Sequence, residues 1–263
     1  MALTDATRAA GITILPVVGM GEIHPGCDLA ELLATSIAVG GAADLRDNDV
    51  LVVTQKIVSK AEARFVELGS VAPGEEAMRL AREVGKDARL VELVLRESQE
   101  IVRAAPNVLI TRHRLGLVMA NAGIDQSNIG PGAPERVLLL PEDPDASAEA
   151  IRDAIADRIG CDIGVVISDS FGRPWRQGVT NIAIGVAGLA ALVDERGKRD
   201  RNGRELNVTQ IALADAIAGA AGLAMGEAAE GIPAAIIRGV DLHREQAAPG
   251  TALVRPLAQD LFR

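Results

Sequence analysis

Four polar segments of this chain carry residue types that can handle a metal ion or a phosphate. In GIDQSN, Asp125 and Asn128 stand on a Gly-flanked loop. A carboxylate and a carboxamide so spaced offer hard oxygen ligands to a divalent cation, or polar groups to a nucleotide. The same pair also suits simple turn capping, because Asp and Asn hydrogen-bond their own backbone. In VVISDSFGRPWRQG, Asp169 and Ser170 directly follow a Val/Ile run. That is a usual position for a magnesium-binding carboxylate, and a neighbouring hydroxyl can share the ion. Arg173 and Arg176 add positive charge suited to phosphates or carboxylates. An Asx turn with surface arginines would explain the same residues. TQKIVSK contributes Gln55, Lys56, Ser59 and Lys60. Its ammonium groups are either point charges for phosphate or solvated tips on apolar stems. Thr209 and Gln210 open TQIALADAIAGAAG, which reads as a helix start. Such an end favours anions, although Thr is also an ordinary cap. Asp215 inside this apolar run requires a partner.

Other chemistries are excluded. There is no GxxxxGK[ST], and Gly19-Met20-Gly21 meets His24 where a third glycine would stand, so neither nucleotide fingerprint is present. The DSFG segment lacks a preceding HRD element, and no GxSxG occurs. His24, His113 and His243 have no ligand spacing, and Cys27 and Cys161 have no CxxC partner. With 27 Lys plus Arg against 36 Asp plus Glu, the net charge is −9. An acidic chain with only 2% aromatic residues does not suit nucleic acid or anionic membranes. The N-terminal stretch MALTDATRAAG has no secretory pattern, and the uncharged run 182–193 falls short of the roughly 20 residues that cross a bilayer. A soluble cytoplasmic protein is expected.

The elements that must position these groups follow from the apolar pattern. Short Val/Ile-rich runs predict strands at 13–18, 49–54, 136–140, 163–168 and 234–238, with 108–111 and 117–120 paired around HRLG. Helices are predicted at 28–39, 75–84, 89–96, 147–159 and 209–225, capped by Asp28 and Thr209 at two of their starts and by Gly160 at one end. In the fourth helix, Ile151, Ala154, Ile155 and Ile159 form the apolar stripe. Residues 180–193 fit strand or helix, DERGKRDRNGRE reads as a hairpin tip, and 141–144 is the best boundary. Neighbouring strands among helices indicate an α+β fold rather than a doubly wound sheet.

Six blocks, in order, are similar to the coenzyme F-420-0:L-glutamate ligase family, the gamma-glutamyl ligases of F-420 biosynthesis. They are ILPVVGMGEIHPGCDL, DVLVVTQKIVSKAEAR, RLGLVMANAGIDQSNIG, VVISDSFGRPWRQGVTNIAIGVAGL, ELNVTQIALADAIAGAAGLAMG and LVRPLAQDLF. The resemblance covers nearly the whole chain. It implies a homodimeric α+β fold with mixed and antiparallel sheets and flanking helices, GTP as co-substrate, two divalent cations (Mg2+ or Mn2+) and K+. Its substrates would be coenzyme F-420-0 and L-glutamate. By the same resemblance Asp125 and Asp169 are catalytic. They would hold metal with Ser170 and Gln210, where the family often has Glu. Met20, Gly21, Glu22, Ile23, Gln55 (commonly Ser in relatives), Lys60 and Asn128 would contact nucleotide. So would Val208, Thr209, Ile211, Ala212, Leu213, Ala214 and Asp215. A single ligase domain across 1–263, in one unit or two subdomains and without the flavin-binding nitroreductase-like domain of actinobacterial relatives, is expected. The residues alone also admit a metal-dependent ligase for another acid, or a non-catalytic deazaflavin- or nucleotide-binding protein.

Overall fold

The computed structural model describes residues 11–39, 45–130 and 135–260. The N-terminal stretch, residues 131–134 of the Gly/Pro loop and the end of LVRPLAQDLF lie outside them. The first half of the chain contains β1 (Thr13–Val17), α1 (Leu29–Val39), β2 (Val50–Thr54), α2 (Gln55–Ala61), β3 (Phe65–Glu67), α3 (Glu75–Val84), α4 (Ala88–Arg96), β4 (Ser98–Ala105), β5 (Val108–His113), β6 (Val118–Ala120) and β7 (Arg136–Leu138). The second half contains α5 (Pro144–Ile159), β8 (Gly164–Arg173), β9 (Arg176–Ala187), β10 (Val193–Asp194), β11 (Gln210–Ile211), α6 (Leu213–Met225) and β12 (Ala234–Arg238). The α+β class holds, with mixed and antiparallel sheets.

The main sheet runs β1-β12-β2-β8-β9, and within it only β2 and β8 are parallel. Its central strands are buried on both faces, which is why they read as unbroken Val/Ile runs. Leu51, Val53, Val165 and Ile167 face α1 and α5 through Leu33, Ile151 and Ile155. Val50, Val52 and Val166 face α6 through Ala214, Ile217, Ala218 and Ala221. The small side chains of α6 let its backbone approach β9 closely. At Gly222 a Cβ would fall 2.4 Å from the Asn181 amide nitrogen. A third cluster, from Leu68 to Leu139, joins α3, α4 and the β4-β5-β6 sheet.

Helix starts behave as the capping residues demand. The Asp28 carboxylate accepts from the Glu31 N–H at 2.9 Å, and Asp143 accepts from the Ala146 N–H at 3.0 Å ahead of Pro144. Gly160 closes α5 at φ +79°. Here α5 begins earlier than the pattern suggests, and Ile159 is exposed rather than on the buried stripe.

Two larger departures concern the site. The helix expected from Thr209 starts only at Leu213, and Ala212 at its N-cap makes no side-chain cap. Gln210 and Ile211 instead pair with Asp194 and Val193, so cross-strand hydrogen bonds compete successfully for those residues. Asp169 and Ser170, expected in a loop after the strand, lie within β8, which continues to Arg173 as one arm of a long hairpin. The ambiguous 180–193 stretch supplies the other arm.

Candidate active site

The parallel pair determines the site's position. Its register aligns Thr54 with Ser168, so the next residues, Gln55 and Asp169, emerge side by side where β2 ends and its parallel pairing with β8 stops, β8 itself running on to Arg173. That end of a parallel pair is where α/β sheets present ligand-binding groups. Gln55 begins α2 and is fully engaged. Its amide donates to Asp125 Oδ2 at 2.7 Å and its carbonyl accepts from Ser59 Oγ at 3.0 Å. Asp125 arrives from the opposite direction, pinned by two backbone hydrogen bonds of 2.9 Å with Leu138. It follows three successive residues with positive φ, Asn121 (50°), Ala122 (51°) and Gly123 (68°). Left-handed backbone at non-glycine residues costs of order 1–3 kcal/mol each and persists where surrounding packing imposes it. Ala122 is completely buried, and a Cβ at Gly123 would sit 2.5 Å from Met119 Cε.

The electrostatics of the pair are unbalanced. Burial raises Asp125, against the opposing pull of Lys56, whose Nζ lies 3.5 Å away, and of Gln55. Burial first, and the nearby Asp125 second, push Asp169 up to about 7 despite the Ser170 N–H, which donates to Oδ1 at 2.9 Å, and despite Lys56 and Gln55. Asp169 is half-buried beside a second half-buried carboxylate that disfavours its ionisation, an arrangement whose charge a cation would compensate.

A rim of polar contacts closes around them. Lys56 Nζ donates to the Ser127 carbonyl at 3.1 Å, and Asn128 donates to the Ala228 carbonyl at 3.1 Å. Lys60, which is buried, pairs with Glu22 at 2.6 Å, and Glu22 borders Gly130. Ser170 Oγ donates to Glu227, which also accepts from Asn181 Nδ2 at 2.7 Å. Of the residues expected from the sequence, Gln55 bonds Asp125 directly and Asp169 feels its charge, Ser170 follows Asp169, and Lys60 pairs with Glu22, which Met20, Gly21 and Ile23 flank.

Others stand apart. Arg173 and Arg176 do not converge on Asp169, because four residues of extended strand separate Arg173 from it by about 13 Å. Arg173 instead donates to the Gln177 carbonyl at 3.2 Å. Gln210 is exposed at the base of the 194–206 arm, and among the described residues no hydrogen bond or ion pair joins it to either aspartate. Val208 and Thr209 lie between that arm and Gln210, Ala212 is the N-cap of α6, and Leu213 to Asp215 begin its first turn. Asp215 finds its partner in the Ala183 N–H at 2.9 Å, and burial raises its carboxyl. Glu227 and Asn181 escaped the sequence reading. Glu227 had only an adjacent glycine as a signal, and Asn181 is visible only as the cross-strand neighbour of Ser170. A groove of about 510 Å³ lies elsewhere, between α1 and the end of α5. Its charged residues Glu31 and Arg158 pair with each other at 3.1 Å.

Residues 18–239 match the F420-0:gamma-glutamyl ligase family. The chain belongs to that family. It is 46% identical to the coenzyme F420:L-glutamate ligase of Methanopyrus kandleri, covering 96% of this chain and 98% of that one. It is 43% identical to the protein of the same name from Methanothermobacter thermautotrophicus, over 96% and 99% of the two chains. The corresponding Archaeoglobus fulgidus protein is 42% identical over 89% and 90%.

The donor set of this family member suits a hard divalent cation. Among the described residues no three His, Cys, Asp or Glu side chains cluster as a closed cage. Mg2+ usually takes one or two carboxylates and fills its shell with water and substrate phosphate, and Asp125 with Asp169 supplies that number. No helix among the described residues is long and apolar enough to cross a membrane.

Proposed function

We propose that this protein joins L-glutamate to coenzyme F420-0 at the expense of GTP and then extends the product with further γ-linked glutamates. One observation carries the reading. Asp125 and Asp169 lie close enough to repel where the parallel pairing of β2 and β8 ends, with their charges incompletely compensated, in a chain of the gamma-glutamyl ligase family.

A carboxylate and an amine do not condense in neutral water, so the carboxylate must be activated. Transfer of the GTP γ-phosphoryl to the F420-0 carboxylate gives an acyl phosphate and GDP. The α-amine of glutamate attacks the acyl carbon, phosphate leaves, and the nitrogen loses a proton as the amide forms. A second glutamate joins the side-chain carboxylate of the first by the same sequence. Asp125, Asp169 and Ser170 would hold divalent ions, Mg2+ or Mn2+, joined by Gln210 on the strength of the resemblance although it stands apart from them here, with K+ nearby; such ions neutralise phosphate charge that otherwise repels the nucleophile. Gln55 holds Asp125 by a hydrogen bond to Oδ2. Lys60 would exchange Glu22 for a phosphate oxygen, and Met20 to Ile23, Asn128 and the 208–215 stretch would line the nucleotide. A cytoplasmic homodimer built from single ligase domains completes the reading, on the strength of the family resemblance.

The test is incubation with GTP, F420-0, glutamate and Mg2+ or Mn2+, read by product mass. A mass increase of one or more glutamyl units, absent with Asp169→Asn, is expected. GTP bound without turnover would replace ligation with a binding function, and ligation of a different acid would overturn the substrate.

A further inference from the structure

The segment after α6 is built to hold one carboxylate against the strand that carries Asp169. Gly226 ends the helix at φ +74°, and any Cβ there would strike the Glu230 carboxylate at 2.3 Å. Glu230 in turn accepts from the Ala228 N–H at 2.8 Å, which fixes the turn. Within it, Glu227 takes the Ser170 hydroxyl proton on one oxygen and the Asn181 amide on the other. Ser170 and Asn181 are direct cross-strand partners in the β8–β9 register, so Glu227 spans the pair at its open face. Asn181 is itself buried, and its side chain reaches Glu227 only because Gly222 leaves it room on α6. The Ala228 carbonyl, next in sequence, accepts from Asn128 on the Asp125 loop. One short turn therefore touches both segments that bring the aspartates together.

We infer that Glu227 is a positioning residue of the cation site, acting through Ser170. A serine hydroxyl offers a cation its lone pairs only if its proton is directed elsewhere, and the Glu227 carboxylate accepts that proton. Ligand-orienting carboxylates of this kind typically govern metal affinity by 10–100-fold. This inference rests on the metal-dependent reading above.

Glu227→Gln tests it sharply because the shape is conserved while the bond reverses. The new amide donates to Ser170 Oγ, occupies a lone pair and turns the serine proton loose. Asn181 still finds a carbonyl acceptor. Mn2+ binding is measured by electron paramagnetic resonance of the free ion, on the full chain without nucleotide, alongside the thermal midpoint. Wild type, Asp169→Asn, Ser170→Ala, Glu227→Gln and the double variant Ser170→Ala/Glu227→Gln are compared. The expected result is roughly tenfold weaker Mn2+ binding in Glu227→Gln at an unchanged midpoint, with no further loss when it is added to Ser170→Ala. Wild-type affinity in Glu227→Gln overturns the inference. So does a loss that multiplies with that of Ser170→Ala, which would mean that Glu227 acts by charge alone. If Glu227→Gln does not fold, Ser170→Ala, which removes the same bond from the strand side, must show the tenfold loss, and wild-type affinity there overturns the inference. Mn2+ binding that depends on Asp169 but not on Glu227 leaves the metal reading standing. Binding indifferent to Asp169 removes both.

Discussion

Glu97 offers a quantitative test of how the site's two supporting segments are joined. It stands just after α4, where Arg114 Nε lies 3.1 Å, Arg64 Nη2 3.4 Å and His113 Nε2 3.4 Å from its Oε2. The His113 ring accepts from the Leu115 N–H on Nδ1, which leaves its Nε2 proton facing Glu97. The two arginines reach on to the carbonyls of Leu140, Pro141 and Glu142, the stretch that returns the chain from Asp125 to α5. Burial opposes ionisation of Glu97, yet His113, Arg114 and Arg64 together outweigh it and hold the carboxyl down to about 2, against 4.5 when free. The side chain is only 14% exposed, so solvent screening is modest. A depression of about 2.5 pH units corresponds to about 3 kcal/mol at neutral pH, at about 1.4 kcal/mol per unit. The folded value lies below the unfolded one. The stabilisation is therefore complete above about pH 4.5, fades as pH falls, and is gone below about pH 2. Glu97→Gln mimics the protonated state at every pH. Urea unfolding should show the variant less stable by up to about 3 kcal/mol at pH 7 but only about 1.4 kcal/mol at pH 3, because the other carboxylates titrate alike in both proteins. A gap of equal size at the two pH values would refute the reasoning and reduce Glu97 to a packing residue.

Asp169→Asn should lower ligation at least about 100-fold, the scale of losing one electrostatic group, while its thermal midpoint in EDTA equals or exceeds wild type because a buried like charge is gone; a marked fall in midpoint would contradict the electrostatics. Gly185→Ala would place a Cβ 2.2 Å from the Pro144 carbonyl oxygen beside the β8–β9 register shift, so denaturant melts should show a loss of about 2 kcal/mol or more, and an unchanged midpoint would mean that α5 can retreat. Lys60→Met should raise the KM for GTP about tenfold, equivalent to about 1.4 kcal/mol of binding, with little change in stability, since its partner Glu22 is exposed; steady-state kinetics that leave the KM unmoved would take Lys60 out of the nucleotide path.

The parts of the fold legible in the sequence are those in which one period dominates. The Val/Ile runs of β2, β8 and β12 are buried on both faces, and helices α1 and α3 combine clear boundaries with apolar stripes. Where local pattern and long-range pairing compete, pairing wins. Gln210 and Ile211 have a good helix start in front of them, yet they pair with β10. Strand β4 looks unpromising because its exposed residues alternate poorly and its register slips twice, and it exists because β5 supplies a partner. The seven-residue α2 is hidden by its lysines, since Lys60 is buried in a way that composition cannot reveal.

At the site, the sequence shows the reactive groups but not the balance among them. Asp125 and Asp169 advertise themselves by type and context, whereas their mutual repulsion depends on Gln55 and Lys56, which approach from α2. One amide and one ammonium are set against two half-buried carboxylates, and Asp169 is left at about 7. A fold selected for stability alone would replace one aspartate with a neutral residue of the same shape, since uncompensated buried charge is costly. It would also avoid the left-handed turn at Asn121 and Ala122 that delivers Asp125. Both costs fall at one place, where the parallel pairing of β2 and β8 ends, and a cation bound there would relieve the electrostatic one. Charge and backbone strain therefore point to the same residues as the family resemblance, on grounds independent of it.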